Sequence, residues 1–174
     1  KMKGYIDALS DFDKAIQLDQ NYSVAYAYRS GAKMETGDVR GAMSDAKKSI
    51  EIDPSFHLAF TYLGWSQFRS FDFKGSGESL NKAIQLNPED AEAYMYRGAL
   101  SLNSNLFEPA LSDLNIAIQL NPLLSRAFAY RSLVYNNRRL LNESASDADK
   151  AYALDQNESL ALLARGTVFY RQHN

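Results

Sequence analysis

The chain has 174 residues, of which 45% are hydrophobic and 23% charged, as in a folded protein with one compact domain or one short repeat array. Its net charge of -2 and its scattered lysines and arginines argue against a nucleic-acid-binding protein, which usually carries a basic surface stripe. Because the chain has no cysteine, it can form neither a disulfide nor a cysteine-ligated metal site.

The sequence also lacks the signals of membrane insertion and secretion. No stretch has the apolar length that a membrane-spanning helix needs. The first residues are not followed by the apolar core of a signal peptide. We therefore expect no direct membrane insertion and favour a cytoplasmic location, although composition does not determine the compartment.

The predicted elements follow a strictly regular internal repeat. The sequence Lys-Ala-Ile-Gln-Leu-Asp at 14–19 returns, with small changes, at 82–87 and 116–121. An alanine followed by an aromatic or aliphatic residue recurs at equal intervals with no gap, at Ala25, Ala59, Ala93, Ala127 and Ala161. Because a regular period determines the whole architecture, it takes precedence over the interpretation of single segments.

Within each repeat the apolar residues have helical spacing, and turn residues such as Gly37 divide the repeat into a first and a second helix. Proline follows the second helix at Pro54, Pro88 and Pro122, where it cannot continue a helix. The pattern predicts about ten helices: a second helix alone, four helix pairs and a first helix alone. The corresponding ranges are 1–22, 23–56, 57–90, 91–124, 125–158 and 159–174.

An aromatic residue, a small residue, two alanines, a leucine and a proline recur at fixed places in the repeat. In the third full repeat these are Tyr94, Gly98, Ala110, Leu114, Ala117 and Pro122. This pattern resembles the tetratricopeptide-repeat (TPR) family over the whole chain. The resemblance implies one array over 1–174, an all-α, right-handed α-solenoid of stacked antiparallel helix pairs with a concave inner groove.

Arginine occupies a core-facing position of the first helix in several repeats, and aspartate occupies a fixed position of the second helix in the same repeats. The repeat that has Leu63 instead of arginine has Ser79 instead of aspartate. Because an unpaired buried charge is costly, we expect structural ion pairs within the repeats. They are Arg29–Asp45, Arg97–Asp113 and Arg131–Asp147. The alternative is a coincidence of solvated charges.

The resemblance implies that a peptide or protein segment binds in the groove, at set positions of the first helices. These positions carry a series of tyrosines with further aromatic and polar side chains. They are Tyr28, Tyr62, Trp65, Phe68, Arg69, Tyr96, Asn103, Tyr130, Asn136 and Asn137. We expect Tyr62 and Tyr96 to be exposed in the groove more than Tyr28 and Tyr130. Alternatively, the tyrosines pack on neighbouring repeats and contact no ligand.

Two departures from the family pattern bear on structure and ligand. The lysine and asparagine with which chaperone-tail binders of the family clamp a carboxylate are absent from the corresponding positions, so we do not expect that ligand. In the second full repeat, Phe71 replaces the usual turn glycine, and Gly75-Ser76-Gly77 falls where a helix should begin. Because glycine destabilises helices, we expect this helix to fray or to start late.

We expect no enzyme activity, no metal and no cofactor. The histidines, His57 and His173, lack metal-ligand partners at helical spacing, and no nucleotide-binding or nucleophile motif occurs. Two other functions stay open. The chain could form a homodimer through the last helix, by Leu160, Leu163 and Phe169, or serve as the targeting arm of a larger enzyme. We expect it to be a piece of a longer protein.

Overall fold

The computed structural model describes residues 2–173, which form ten α-helices joined by short connections. The helices are α1 (Met2–Leu18), α2 (Ser23–Thr36), α3 (Val39–Ile52), α4 (His57–Arg69), α5 (Phe73–Leu86), α6 (Ala91–Asn103), α7 (Phe107–Leu120), α8 (Ser125–Asn137), α9 (Leu141–Leu154) and α10 (Ser159–Gln172). No strand occurs in this part of the chain. The predicted all-α class with about ten helices is confirmed.

The chain divides into two compact units, 1–93 and 94–174. In the first unit, α2 packs on α3 and α4 packs on α5, each pair joined by a turn too short for anything but an antiparallel arrangement. The second helix of one repeat also packs on the first helix of the next, as α1 does on α2 and α3 on α4. The first helices α2 and α4 lie side by side.

The second unit has the same contacts. Here α8 packs on α9, α7 packs on α8, and α9 packs on α10. The first helices α8 and α10 lie side by side, as α2 and α4 do in the first unit. Small and aliphatic side chains fill the α8–α10 core, among them Ala129, Ala148, Ala161 and Val168.

Two first helices carry glycine where the second helix presents a leucine. A Cβ at Gly64 would lie 2.6 Å from Leu80 Cγ, and a Cβ at Gly98 would lie 2.8 Å from Leu114 Cγ. Both leucines are fully buried. No Cβ fits at those distances, so glycine lets the two helices approach closely over a large side chain.

The corresponding position is serine in two other repeats, and there the second helix presents alanine, Ala46 or Ala148. The Ser30 hydroxyl donates to the Ala42 carbonyl at 2.8 Å, and the Ser132 hydroxyl donates to the Ser144 carbonyl at 2.7 Å. Glycine on the first helix therefore faces leucine on the second, and serine on the first helix faces alanine on the second. The sequence indicated the small residues but not this matching of sizes.

Helix α5 does not fray or start late, so that expectation is wrong. It begins regularly at Phe73, and the Asp72 side chain caps it by accepting from the Gly75 amide at 2.9 Å. This cap satisfies one of the amides that the first turn of a helix leaves without an intrahelical partner. Phe71 adopts the left-handed backbone conformation, with φ of 63°, in place of the usual turn glycine.

Candidate functional site

The arginine of the first full repeat lies against its expected aspartate. Arg29 Nε and Nη2 donate to the two carboxylate oxygens of Asp45, each at 2.7 Å, while Nη1 donates to Asp13 at 2.6 Å. Lys33 Nζ lies 2.7 Å from the same Asp45 carboxylate. Because Asp45 is buried, its charge depends on these two cations.

The same two-point contact is present in the second unit. Arg97 donates to the Asp113 oxygens at 2.8 and 2.7 Å, and Arg131 donates to those of Asp147 at 2.7 and 2.8 Å. Both aspartates are buried. A planar guanidinium matches a carboxylate in this geometry, which fixes the direction of each side chain as well as the pairing.

Hydrogen bonds and ring contacts favour the charged form of these arginines. The hydrogen bond that each arginine donates to its partner aspartate raises the pKa of Arg29, Arg97 and Arg131, and this outweighs burial, which lowers it. The Arg29 guanidinium also lies 5.3 Å from the centre of the Tyr26 ring, and that of Arg97 lies 5.5 Å from the centre of the Tyr94 ring. These arginine–aspartate pairs therefore join the first and second helices of their repeats.

The second full repeat is held by a different polar cluster, which the sequence did not indicate. The buried Asp90 carboxylate accepts from the Thr61 hydroxyl at 2.6 Å and from the Ala93 amide at 3.0 Å. His57, at the start of the same repeat, places Nδ1 2.9 Å from Asp90, and Asn87 Nδ2 lies 3.3 Å from His57 Nε2. The tautomer with its proton on Nδ1 satisfies both contacts, since it donates to Asp90 and leaves Nε2 to accept from Asn87.

Tyrosines on the first helices of the first unit differ in exposure, and the expectation that Tyr62 is more exposed than Tyr28 is wrong, because Tyr62 is half-buried and Tyr28 is exposed. The Tyr62 ring lies directly on α2, where a Cβ at Gly31 would be 2.9 Å from Tyr62 Cζ. Burial, assisted by the negative charge of Glu92, raises the pKa of Tyr62. Tyr28 is 43% exposed, and Phe12 of α1 stacks on its ring with the ring centres 6.2 Å apart.

The other predicted groove residues of the first unit divide between core and surface. Trp65 is 7% exposed, so its ring belongs to the core rather than to an open groove. Phe68 is half-buried and contacts Phe73, with ring centres 5.9 Å apart. Arg69, at the last turn of α4, is exposed.

In the second unit, the expectation that Tyr96 is exposed is wrong. Tyr96 is 2% exposed, although Tyr28, from which less was expected, is open to solvent. Tyr130 is half-buried, and Asn103 and Asn137 are exposed at the last residues of α6 and α8. The place of a tyrosine in the repeat determines the side of the helix on which its side chain lies. Its exposed fraction depends on the side chains that surround it.

A pocket lies between α8 and α10, inside the second unit. One cavity there, of about 270 Å³, is bordered by Leu133, Thr167 and Tyr170 together with Asn136. A second cavity, of about 490 Å³, shares Tyr170 with it and is also lined by Arg139. Asn136 was among the polar groove positions predicted from the sequence, whereas the arginines of this pocket were not.

No group of three or more histidine and acidic side chains within residues 2–173 is arranged to hold a metal ion. None of the helices from α1 to α10, as far as the structure describes them, is long and apolar enough to cross a membrane.

Known proteins match this architecture but not the sequence. Models of known families and curated protein sequences gave no significant match. Among solved structures, the thermophilic TPR protein TTC0263 of Thermus thermophilus is similar with a TM-score of 0.81 at 16% identity, over 95% of this chain and 91% of that one. The chain has the tetratricopeptide-repeat fold.

Two further neighbours carry names that mention binding. YrrB, described as a TPR protein with an unusual peptide-binding site, has a TM-score of 0.62 at 20% identity, over 94% of this chain and 84% of that one. A chain of the Cut9–Hcn1 hetero-tetramer of the APC/C has a TM-score of 0.79 at 18% identity, over 94% of this chain and 33% of that one. At these identities the TPR fold is shared, and nothing more specific.

Proposed function

We propose that the chain is a protein–protein interaction module that binds a peptide or protein segment on a first-helix face. This face is the solvent-facing surface of the first helices within a unit, α2 and α4 in the first unit and α6, α8 and α10 in the second. One observation carries the proposal: polar side chains near the ends of successive first helices are exposed. They are Arg69, Asn103, Asn137 and Arg171. The positions that face the core of the repeats instead carry alanines and the aspartates of the ion pairs, which are buried. The exposed polar side chains are therefore a feature of the first-helix face.

The side chains on this face suit an extended segment. An asparagine amide offers both a donor and an acceptor, which matches the N–H and C=O of a ligand's main chain. A half-exposed tyrosine such as Tyr28 adds a large apolar surface at a small loss of side-chain entropy. The printed descriptions of YrrB, with its peptide-binding site, and of the Cut9–Hcn1 complex support the same general function for this fold.

The test begins with peptides selected from a phage-displayed library on the immobilised protein. We expect Tyr28→Ala, Asn103→Ala and Asn137→Ala each to weaken the selected peptides about fivefold or more, since hot-spot truncations cost over ~1 kcal/mol. The matched controls are Lys47→Ala and Lys150→Ala, which change exposed side chains on the second helices α3 and α9. If the control variants weaken binding and the first-helix variants do not, the proposal is wrong.

Self-association is a second candidate, favoured by the surface of α10. Leu162, Leu163 and Phe169 are each at least half exposed there, and a Cβ at Gly166 would meet no atom within 4 Å. Leu160, expected to belong to this surface, instead packs against the core of the second unit. A helix of a second copy could cover the exposed part.

Light scattering over a range of concentrations tests this candidate. Self-association predicts a mass that rises with concentration in the parent and not in Phe169→Glu. Leu123→Glu is the matched control, because Leu123 is 75% exposed in the α7–α8 connection, away from α10. A parent mass that stays monomeric at every concentration rejects the candidate.

A further inference from the structure

The arginine of α10 makes one of the two contacts that Arg29 makes. Arg29 donates through Nε and Nη2 to Asp45 of its own repeat, and through Nη1 to Asp13 of the preceding second helix. Arg165 holds the equivalent place in α10 and donates through Nε to Asp149 of the preceding second helix, at 3.1 Å. Within residues 2–173 no second helix follows α10, so the place of the own-repeat aspartate beside Arg165 is open.

The corresponding aspartate of α1 has no arginine beside it within the described residues 2–173. The place of Asp11 in α1 is held in other second helices by Asp45, Asp113 and Asp147. The side chains of those three are at most 9% exposed, each against the arginine of its own repeat, whereas the Asp11 side chain is 77% exposed. It lies 3.5 Å from Lys14 Nζ of the same helix, an exposed pair that contributes little to stability.

The residues that follow these two charges also match in size. A Cβ at Gly166 would meet no atom within 4 Å, whereas a Cβ at the equivalent Gly98 would lie against Leu114. The place of Leu114 is held in α1 by Phe12, which is half-buried and stacks on Tyr28. Because glycine on a first helix faces a large side chain in this chain, Gly166 leaves room for a residue such as Phe12.

The two requirements together are stricter than the general similarity of the repeats. In α6 the same combination, Arg97-Gly98, faces an aspartate and a leucine of α7. The second helices α3 and α9 carry aspartate followed by alanine, and α5 carries serine followed by leucine. Against α10 they would leave either a cavity over the glycine or an arginine without a carboxylate. Helix α1, with Asp11-Phe12, meets both requirements.

A second helix beside α10 would also cover an exposed aromatic ring. The place of Phe169 is held in α2 and α4 by Lys33 and Gln67, which both reach the second helix of their own repeat. Lys33 Nζ lies 2.7 Å from the Asp45 carboxylate, and the Gln67 side chain accepts from the Ser79 hydroxyl at 2.7 Å. A helix in the same place beside α10 would therefore lie on Phe169, which is 50% exposed.

We propose that α1 of a second copy packs on α10 as the second helix of its repeat. Asp11 of the second copy accepts from Arg165, which keeps its contact with Asp149 on the other side. Phe12 of the second copy packs on Gly166. The contact joins two different surfaces, so the copies associate head to tail rather than symmetrically. This inference rests on the self-association candidate of the proposed function, for which it names the partner helix.

Two substitutions block the two surfaces separately. Asp11→Arg places a cation against Arg165, and Gly166→Gln fills the space that Phe12 would occupy. Both positions are open to solvent or free of close contacts in the single chain, so the melting temperature of each dilute variant should stay close to that of the parent. Ser10→Arg is the matched control, because this place is exposed in every second helix.

Light scattering of the 174-residue chain over a range of concentrations tests the contact. The mass of the parent and of Ser10→Arg should rise with concentration, while Asp11→Arg and Gly166→Gln should each stay monomeric. An equimolar mixture of the two blocked variants should nevertheless form a dimer, because each supplies the surface that the other lacks. A mixture that stays monomeric while the parent associates would overturn the proposal.

The same measurement separates this contact from a symmetric one. If α10 packs on α10 of a second copy, Asp11→Arg will associate as the parent does, which would reject the head-to-tail contact and keep the self-association candidate. A parent that is monomeric at every concentration would reject both. The binding of selected peptides to the first-helix face is measured independently, so neither result decides the interaction-module proposal.

A joint replacement tests the pairing of the two charges. Arg165→Leu alone should weaken association about thirtyfold or more, since it leaves Asp11 of the second copy buried without a cation. Adding Asp11→Ser reproduces Leu63 and Ser79 of the α4–α5 pair and should restore most of the lost affinity. A double variant that associates no better than Arg165→Leu would contradict the pairing of Asp11 with Arg165.

Discussion

The helix pairs α2–α3 and α4–α5 lie in the same unit and occupy equivalent places in successive repeats, yet different side chains join them. In α2–α3 the core carries the buried Arg29–Asp45 pair. In α4–α5 the same two positions are Leu63 and Ser79, and the Ser79 hydroxyl donates to the Gln67 side chain at 2.7 Å. An ion pair and a leucine beside a serine therefore support the same helix packing.

The closest approach of the helices differs in the same way. The pair α2–α3 has Ser30, whose hydroxyl donates to a carbonyl of α3, opposite the small Ala46. The pair α4–α5 has Gly64 opposite the buried Leu80. The repeat therefore constrains pairs of facing residues, one on each helix, rather than single residues. A change at one position should therefore be repaired by a change at its partner.

The largest expected effect is at Leu80. Leu80→Ala should lower the free energy of unfolding by about 2 to 5 kcal/mol, because it leaves a cavity over Gly64. Adding Gly64→Ser, which converts the pair to that of α2–α3, should recover part of this loss. Urea denaturation measures both variants, with Lys82→Ala, an exposed change on the same helix, as control. Strictly additive changes would contradict the size matching.

The ion pair comes next. Asp45→Ala should cost about 3 kcal/mol, because it leaves Arg29 and Lys33 without the carboxylate that they share. The double variant Arg29→Leu with Asp45→Ser reproduces the residues of α4–α5 and should be clearly more stable than Asp45→Ala alone. Thermal and urea denaturation provide the values. A single variant as stable as the parent would mean that the contact is an incidental surface pair.

A smaller effect is expected at Gly64. Gly64→Ala should destabilise by about 1 to 2 kcal/mol, since the clash with Leu80 exceeds the gain in helix propensity. Gly166→Ala is the control: a Cβ there meets nothing within 4 Å, so the same substitution should stabilise slightly. Urea denaturation measures the change in the free energy of unfolding of each variant. If Gly64→Ala does not destabilise more than Gly166→Ala, the close approach of α4 and α5 does not explain the glycine at position 64.

Helix capping should contribute about 1 kcal/mol to the free energy of unfolding in each helix pair. Asp38→Ala and Asp72→Ala should therefore lower the stability by similar amounts. Each aspartate accepts from the amide of the glycine in the first turn, Gly41 or Gly75, at 2.9 Å. Hydrogen exchange of the amides at Gly41 and Gly75 should quicken in the respective variant. Unchanged exchange at Gly75 in Asp72→Ala would mean that another feature starts α5.

The smallest effect concerns alkaline pH. The pKa of Tyr62 is raised above its ordinary 10.0, chiefly by burial, so its neutral form stabilises the fold. This contribution is complete below about pH 10 and is lost as pH rises towards the folded-state pKa. Tyr62→Phe should therefore lose less stability than the parent between neutral and alkaline pH. Ultraviolet titration showing that Tyr62 ionises in its ordinary range in the folded protein would contradict this.

The sequence predicted what recurs and missed what occurs once. The regular period led to the all-α repeat fold, and the joint replacement at Leu63 and Ser79 pointed to the arginine–aspartate contacts that the structure contains. The Asp90 cluster occurs in one repeat and joins residues from its two ends, so no periodicity reveals it. The burial of Tyr96 depends on surrounding side chains, and the start of α5 depends on the cap that Asp72 forms with the Gly75 amide.

A ligand on the first-helix face is located most directly by mapping amide chemical-shift changes over the ten helices as a selected peptide is added. We expect the changes to concentrate in the first helices α2, α4, α6, α8 and α10, including Arg69, Asn103 and Asn137. Changes concentrated in the second helices α3, α5, α7 and α9 would contradict the proposal, because the ligand would then lie on those helices.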